Sequence, residues 1–309
     1  MQELIERLRQ NIKRAHLGGD DSVDRLICCL LARGHVLIED VPGVGKTVLA
    51  SALARSIELE FRRIQLTPDM LPADVLGVSV FNRELGRFEF HKGPVFTNLL
   101  LADEINRTTP RTQSALLEAM SESSVSVDGH VHQLGPPFMV IATQNPYEFE
   151  GTYLLPENQL DRFLMRLTLG YPDEEEERRL LDLRPLETVL QGLTPVMGAA
   201  ELLSLQAAVD KVQLSEPVRG YIVGLARATR EHDSIDVGLS PRGSLALAQA
   251  SRAAAFMAGR DYVIPEDVLD NLVAVAAHRL ITSEFGAGGG WQAAAALLEE
   301  IASGIEAPL

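Results

Sequence analysis

The sequence has very few cysteines and no long apolar run. Its only two cysteines, Cys28 and Cys29, are adjacent, and such a pair can neither cross-link distant segments nor build a zinc site alone. We expect both thiols to fill space in a helix, in a reducing compartment. No stretch of about 18 uncharged apolar residues occurs, so no membrane-spanning helix is predicted. The first seven residues lack the apolar stretch of a signal peptide, which favours a cytoplasmic protein.

Basic and aromatic residues are also scarce. The chain has 28 lysines and arginines against 43 acidic residues, a formal net charge of −15. An acidic surface repels phosphate backbones, so we expect no nucleic-acid partner, although net charge does not show where basic residues cluster. Aromatic residues make up 5% of the chain and Trp291 is the single tryptophan, which argues against a stacking surface for single strands.

The first part of the chain alternates apolar strands with helices. Hydrophobic residues are 46% of the 309 residues, enough for the cores of two domains. Near-continuous apolar strands predict a parallel sheet that is covered on both faces by helices. The five predicted strands are 35–39, 63–66, 98–102, 138–142 and 163–167. Two interruptions, 78–90 and 124–134, have the pattern of hairpins.

The second part of the chain is predicted to be helical. A charge run over 173–179 is typical of a solvated helix start. From about Gly198 the sequence is rich in alanine and leucine and fits three or four helices, with a flexible joint at 286–290 before a last helix. We therefore expect an α/β domain over 1–190 and an all-α domain over 191–309.

A glycine-rich segment lies between the first strand and the helix that follows it. Gly43-Val44-Gly45-Lys46-Thr47 has glycines that let backbone amides turn inward around phosphate oxygens. The helix directs its positive N-terminus at the same anion. Lys46 adds a charge for the β- and γ-phosphates and Thr47 a hydroxyl for Mg²⁺. Asp40 stands where the general pattern has glycine, and an ordinary glycine turn with a surface lysine is the alternative.

Two carboxylates end the third predicted strand. Asp103 and Glu104 follow an apolar run, and ligands of open α/β sheets bind at that edge. Asp103 is placed to hold the metal's hydration shell opposite Thr47, and Glu104 to polarise an attacking water. A helix cap is the alternative role for Asp103. The two motifs together, in this order, predict a phosphate-loop NTPase.

Three further polar residues are candidates for the site. Asn145 ends the fourth strand, where an amide can fix the attacking water; an Asn-Pro turn is the alternative. Arg162 precedes the fifth strand and suits a transferring phosphoryl group, unless it only pairs with Asp161. Arg242 follows Ser240-Pro241 at a helix start, where a cation is unfavourable unless a ligand anion offsets it.

These residues resemble an AAA+ ATPase, and longer motifs resemble the MoxR group of the helix-2-insert clade. The resemblance covers about residues 10–280. The matching motifs are Gly-Pro-Val-Phe (93–96), Leu-Ala-Asp-Glu-Ile-Asn-Arg (101–107), Thr-Gln-Ser-Ala-Leu-Leu-Glu-Ala-Met (112–120), Ala-Thr-Gln-Asn-Pro (142–146) and Leu-Pro-Glu-Asn-Gln-Leu-Asp-Arg-Phe (155–163). The hairpins then correspond to the helix-2 insert and the pre-sensor hairpin.

The resemblance implies a role for each site residue. Glu104 is the catalytic base, Asn145 sensor 1, Arg162 the arginine finger and Arg242 sensor 2, with Arg166 a rival finger. Asp103 and Thr47 hold Mg²⁺. The residues that bind ATP are Gly43, Val44, Gly45, Lys46, Thr47, Val48 and Asp103. A weaker correspondence puts Gly18 and Gly19 at the start of the adenine-contacting loop.

The resemblance also implies how the protein works. It predicts a P-loop AAA+ ATPase with a five-stranded parallel sheet and a helical lid, which assembles into a ring, usually hexameric. The ring remodels partner proteins like a chaperone, often proteins with von Willebrand factor A domains, and can assist metal or cofactor insertion. The alternatives are a magnesium-chelatase-like subunit, a nucleic-acid-associated AAA+ motor, and a nucleotide-gated scaffold with little turnover.

Overall fold

The computed structural model describes residues 1–16, 19–146, 151–182, 186–283 and 291–308. Gly18 and the expected joint at 286–290 lie outside these residues. The chain begins with two helices, α1 (Gln2–Lys13) and α2 (Asp20–Leu31). Both are amphipathic, and their apolar faces are buried in the main core. None of the described helices is long and apolar enough to cross a bilayer.

The centre of the α/β region is a five-stranded, entirely parallel sheet. The strands of this region are β1 (Val36–Glu39), β2 (Ile57–Glu58), β3 (Phe61–Gln65), β4 (Gly77–Asn82), β5 (Arg87–Lys92), β6 (Leu99–Asp103), β7 (Ser124–Val127), β8 (His130–Gln133), β9 (Met139–Gln144) and β10 (Met165–Leu167). The sheet has the order β10-β1-β9-β6-β3. The predicted α/β fold with five parallel strands is confirmed.

The helices of this region are α3 (Lys46–Ser56), α4 (Pro72–Leu76), α5 (Pro110–Glu122), α6 (Glu157–Leu160), α7 (Glu174–Asp182) and α8 (Leu186–Gln191). Helix α3 packs on one face of the sheet together with α1 and α2, and α5 packs on the other. Val36 and Ile38 of β1 point into the core shared with α1, α2 and α3, whereas Leu37 points into the core under α5. A strand buried on both faces cannot alternate apolar and polar residues, which is why these strands are continuous apolar runs.

The C-terminal part is helical, as expected. Its elements are β11 (Met197–Gly198), α9 (Ala199–Val209), α10 (Glu216–Glu231), β12 (Ile235–Val237), α11 (Pro241–Met257), α12 (Pro265–Ala276), β13 (Ile281–Thr282) and α13 (Trp291–Ser303). Four helices precede residue 284, the upper number predicted. Ser240 caps α11 by accepting a hydrogen bond from the Gly243 amide at 3.1 Å. The sequence does not indicate β11, β12 and β13, because strands of two or three residues are too short to show alternation.

The helical part packs firmly against α2. Gln206 of α9 donates a hydrogen bond to the Leu30 carbonyl at 2.7 Å in the buried interface. Cys28 donates to the Ala250 carbonyl of α11 at 3.4 Å. Burial raises the pKa of the Cys28 thiol to about 12, so it stays protonated. The prediction that the cysteines fill space in a helix is confirmed, since both are buried in α2.

Both predicted hairpins are present and they touch each other. Strands β4 and β5 form the first, and β7 and β8 the second. The imidazole of His132 stacks on the ring of Phe90, with 4.0 Å between centroids. We name the exposed apolar residues that this pairing leaves at the surface, Phe81, Phe88 and Val131, the hairpin surface.

Candidate functional site

The glycine-rich segment 43–47, which we name the phosphate loop, connects the end of β1 to the start of α3. Gly43 and Gly45 have φ angles of +89° and +91°, which favour glycine over other residues. Lys46 is the first residue of α3, so the free amides of the helix N-terminus lie next to the loop. The segment therefore has the conformation and position of an anion-binding loop.

The Lys46 ammonium is held within this loop. It donates to the carbonyl oxygens of Asp40 at 2.6 Å and Gln144 at 3.1 Å, which places it beside the ends of β1 and β9. Burial lowers the pKa of Lys46, while the negative charges of Asp40, Asp103 and Glu104 act in the opposite direction. The charge of Lys46 is thus directed at the carboxyl edge of the sheet.

Asp40, the departure from the general glycine pattern, has a clear structural role. Its Oδ1 accepts a hydrogen bond from the Val41 amide at 2.7 Å. Its Oδ2 accepts from the amides of Leu169 and Gly170, both at 2.7 Å. Glycine has no side chain that could make these contacts. Asp40 therefore fixes the start of the phosphate loop to the segment that follows β10.

Asp103 is the last residue of β6 and is only 5% exposed. Its Oδ1 accepts from the Thr143 hydroxyl at 3.0 Å, and its Oδ2 from Arg63 Nε at 2.7 Å. The short helical turn over 105–107 has no side-chain cap, so the alternative capping role is not observed. Two donors instead orient the carboxylate at the sheet edge.

Glu104 follows in a left-handed conformation, with φ 56° and ψ 54°. A non-glycine residue there carries strain of about 1–3 kcal/mol, and such residues cluster at functional sites. Its amide donates to the Thr143 hydroxyl at 3.0 Å. Its side chain accepts a hydrogen bond from Gln65 Nε2 at 2.6 Å and pairs with Arg107 at 3.1 Å. The carboxylate is therefore held beside Asp103 and partly open to solvent.

Thr143 and Gln65 also belong to this site, although the sequence did not predict them. Thr143 contacts both acidic residues, whereas Asn145 lies two residues further on, with its carbonyl accepting a bond from Asn106 at 3.3 Å. Gln65 ends β3 and lies opposite Asp103 in the strand register. Its position at the end of a predicted strand was the available signal, because the carboxyl ends of parallel strands meet at one edge.

A buried histidine borders the other side of the phosphate loop. A Cβ at Gly45 would lie 3.6 Å from His16 Nδ1. Burial lowers the pKa of His16 to about 4, so the ring is neutral near pH 7. Beyond it lies a cavity of about 120 Å³, lined among others by Ser22, Arg166 and Trp291. The Ser22 hydroxyl lies 3.4 Å from His16 Nε2, so His16 stands between this cavity and Gly45.

Arg166, the rival finger, lies inside its own chain. Its side chain is 13% exposed and forms an ion pair with Glu39 at the end of β1. Its guanidinium also lies over the Trp291 ring, 5.6 Å from the centroid. Burial lowers the pKa of Arg166. In this conformation the side chain does not project from the surface.

Arg162 and Arg242 lie together at the amino ends of the strands, which we call the amino edge of the sheet. Lys46 lies at the carboxyl ends of the strands, the carboxyl edge. Both line a cavity of about 500 Å³, with two further arginines, Arg33 and Arg279. The cavity wall also includes His35, Phe138 and Leu164, which immediately precede β1, β9 and β10. At about 3.3 Å per residue, the four residues of β1 span about 13 Å. The sheet therefore separates these arginines from the phosphate loop of the same chain.

The contacts of Arg162 differ from the ion pair considered as the alternative. Its Nη1 donates to the Leu117 carbonyl at 2.8 Å and to the Ser121 hydroxyl at 2.9 Å. Asp161 instead pairs with Arg279 at 2.8 Å and lies 3.9 Å from Arg242. Arg33 pairs with Asp210 at 2.6 Å, so four arginines against two aspartates leave this cavity basic in a chain with a net charge of −15.

The donor set at the carboxyl edge fits a magnesium ion that is bound together with a nucleotide. No cluster of three or more histidine, cysteine or acidic side chains suited to a metal occurs within the described ranges. Mg²⁺, however, usually takes one or two carboxylates with substrate phosphates and water. The Thr47 hydroxyl and the Asp103 carboxylate supply oxygen ligands of that kind.

Comparison with known families gives two matches along the chain. Residues 35–165 match the model of the ATPase family associated with various cellular activities (AAA). Residues 227–301 match the AAA lid domain. The first range contains the phosphate loop and the acidic pair, and the second contains Arg242 and Arg279.

Three relatives and one solved structure are similar over most of the chain. Uncharacterized protein YeaC of Bacillus subtilis is 47% identical over 99% of this chain and 95% of its own length. Chaperone MoxR1 of Mycobacterium tuberculosis is 40% identical over 90% of this chain and 75% of its own length. Protein MoxR of Methylorubrum extorquens is 32% identical over 89% of this chain and 86% of its own length. A crystal structure from Cytophaga hutchinsonii superposes with a TM-score of 0.87, at 36% identity, covering 100% of this chain and 96% of that one.

Proposed function

This chain belongs to the MoxR family of AAA+ ATPases, and from this we propose that it binds ATP with Mg²⁺ and hydrolyses it at the phosphate loop. One observation carries the proposal. The Lys46 ammonium, the Asp103 carboxylate and the strained Glu104 lie together at the carboxyl edge, joined through neighbouring strand ends. That combination offers a phosphate ligand, a metal ligand and a base.

We assign each residue a role in hydrolysis. The amides of 43–48 and the Lys46 charge hold the phosphates, and Glu104 accepts the proton of the attacking water. Asn145 helps to fix that water. Mg²⁺, held by Thr47 and Asp103, would neutralise charge on the phosphate oxygens. Thr143 and Arg63 donate hydrogen bonds to Asp103, so its carboxylate is already oriented before the nucleotide binds.

We also propose that Arg162 and Arg242 act on the nucleotide of a neighbouring subunit. Their place at the amino edge of the sheet supports this, since they are too far from the phosphate loop of their own chain. In this arrangement the basic cavity of one subunit faces the phosphate loop of the next. Such an interface is head-to-tail, and repeated head-to-tail contacts close into a ring. We propose a hexamer, with the α/β domain over 1–190 and the lid over 191–309.

The ring would apply this hydrolysis to a protein client in the cytoplasm, with a von Willebrand factor A domain protein as the proposed partner. The hairpin surface supports a protein contact, since Phe88 is 69% exposed and Val131 62% exposed. Apolar side chains grouped at a surface commonly mark interaction sites. Similarity to proteins named chaperone MoxR1 and MoxR points in the same direction.

Lys46→Ala is the direct test of nucleotide binding. We expect it to weaken ATP binding at least tenfold, because it removes a positive charge that contacts the phosphates. Titration calorimetry with ATP and Mg²⁺ measures the change, and Lys211→Ala, in the helical part, is the control. Equal affinities for Lys46→Ala and the unaltered protein would refute the phosphate-loop assignment.

The hairpin surface can be tested separately from hydrolysis. We expect Phe81→Ser with Phe88→Ser to leave basal ATP hydrolysis within about twofold, because exposed side chains contribute little to stability. Clients recovered from lysate with ATP-bound protein should be lost in this double variant and kept in Val223→Ser, which alters an exposed apolar residue of α10 away from the hairpins. Loss of nucleotide binding in the double variant would mean that the hairpin is needed for the fold instead.

A further inference from the structure

Arg279 is a buried arginine in the helical part of the chain. It lies in the short turn after α12, and its side chain is 3% exposed. Its guanidinium donates to Asp161 Oδ1 at 2.8 Å and to the carbonyls of Phe163 at 2.7 Å and Leu164 at 3.2 Å. A further bond to the carbonyl of Val275 ties it to its own helix. Arg279 thus joins the helical part to the segment 161–164.

The segment 161–164 carries Arg162. It connects α6 to the edge strand β10, and the neighbouring His278 also contacts the Phe163 carbonyl, at 3.1 Å. On its other side, Arg162 is held by α5 through Leu117 and Ser121. The backbone on either side of Arg162 is therefore fixed by two consecutive residues of the helical part.

The helix that leads to Arg279 also reaches the neighbourhood of the phosphate loop. Val273 and Ala274 of α12 line the cavity beside His16, together with Ser22. Ala274 and Arg279 are five positions apart, about 7.5 Å at the rise of an α-helix. One packed element therefore borders a cavity that is linked to Gly45 through Ser22 and His16, and it leads to the arginine that holds the segment with Arg162.

We propose that Arg279 is a positioning residue for the arginine finger, which fixes the segment 161–164 so that Arg162 reaches the nucleotide of the adjacent subunit. This inference rests on the proposed function. A displacement of the helical part would shift Arg279 and withdraw Arg162, so the state of one site would control hydrolysis at the next. Arg279 itself touches no nucleotide in this scheme.

Mixed rings separate this role from a purely structural one. Arg279→Lys keeps the charge but loses the planar fork that bonds several acceptors at once. We expect it to bind ATP within about threefold of normal and to hydrolyse it at least tenfold more slowly. Mixing it with Lys46→Ala, which has an intact finger, should restore activity, because about one quarter of random interfaces pair a good site with a good finger. Mixing Arg279→Lys with Arg162→Ala should not restore activity, because neither variant supplies a working finger.

The control is Arg260→Lys, which alters another arginine of the helical part that forms a two-bond pair, with Asp267 at 2.7 and 2.6 Å. We expect its activity to stay within about twofold. If Arg279→Lys does not fold, Asp161→Asn removes the same ion pair and should give the same pattern of rescue. If Lys46→Ala restores activity to Arg162→Ala but not to Arg279→Lys, the positioning role of Arg279 is wrong and the proposed function stands. If Lys46→Ala restores activity to neither variant, the proposed site shared between subunits is wrong.

Discussion

Glu104→Gln should bind ATP as tightly as the unaltered protein and lose nearly all hydrolysis. Glutamine keeps the size of the side chain and an oxygen that can accept the hydrogen bond from Gln65. It cannot accept a proton from water at neutral pH, and loss of a general base costs about 10²–10⁴-fold in rate. The strained backbone of Glu104 is held by the Thr143 hydroxyl, a contact that the substitution does not alter.

The measurement is phosphate release at saturating ATP, with binding followed separately by calorimetry. Glu216→Gln is the matched control, because it makes the same chemical change at an exposed position of α10 and should retain full activity. Hydrolysis by Glu104→Gln at the normal rate would show that another group activates the water. If activity and binding were lost together, Glu104 would be needed to shape the site instead.

The sheet was predictable because its strands are buried on both faces. Leu99 to Ala102 are all buried, so β6 reads as an uninterrupted apolar run and its boundaries follow from composition. The end of β6 places Asp103 and Glu104, and the loop after β1 places Lys46, at the carboxyl ends of the strands. The buried strands and the residues that follow them both depend on local sequence, and the structure has them where the sequence predicts.

Contacts between distant elements were not predictable in this way. Gln65 looks like an ordinary polar residue at a strand end, and its bond to Glu104 depends on the strand order β3-β6, which the sequence does not state. Asp161 and Arg162 are adjacent in sequence and suggested an ion pair. The structure instead pairs Asp161 with Arg279, 118 residues later, because the helical part packs against that segment.

The distribution of charge over the surface also could not be predicted from the sequence. A net charge of −15 predicts an acidic surface, yet four arginines line one cavity at the amino edge of the sheet. Arg33, Arg162, Arg242 and Arg279 come from four separate segments, so no short window of the sequence contains more than one of them. Only the fold gathers them, and an anion is the chemical partner that such a gathering favours.

Arg162→Ala should bind ATP normally and lose more activity than any other single change at the amino edge. Arginine fingers in related phosphoryl-transfer enzymes contribute about 10³–10⁵-fold in rate. Because Arg162 lies across the sheet from the phosphate loop of its own chain, its removal should spare the binding site there. The affected nucleotide belongs to the adjacent subunit, so hydrolysis depends on assembly.

Complementation between two inactive variants tests this directly. Arg162→Ala has an intact phosphate loop, and Lys46→Ala has an intact finger, so a mixed ring contains interfaces in which both are present. We expect the mixture to regain part of the normal activity, while each variant alone stays inactive. Arg219→Ala, an exposed arginine of α10, is the control and should be fully active alone. If sedimentation shows mixed rings and activity does not return, Arg162 does not act across the interface, because every mixed ring would then contain a complete pair that fails to react.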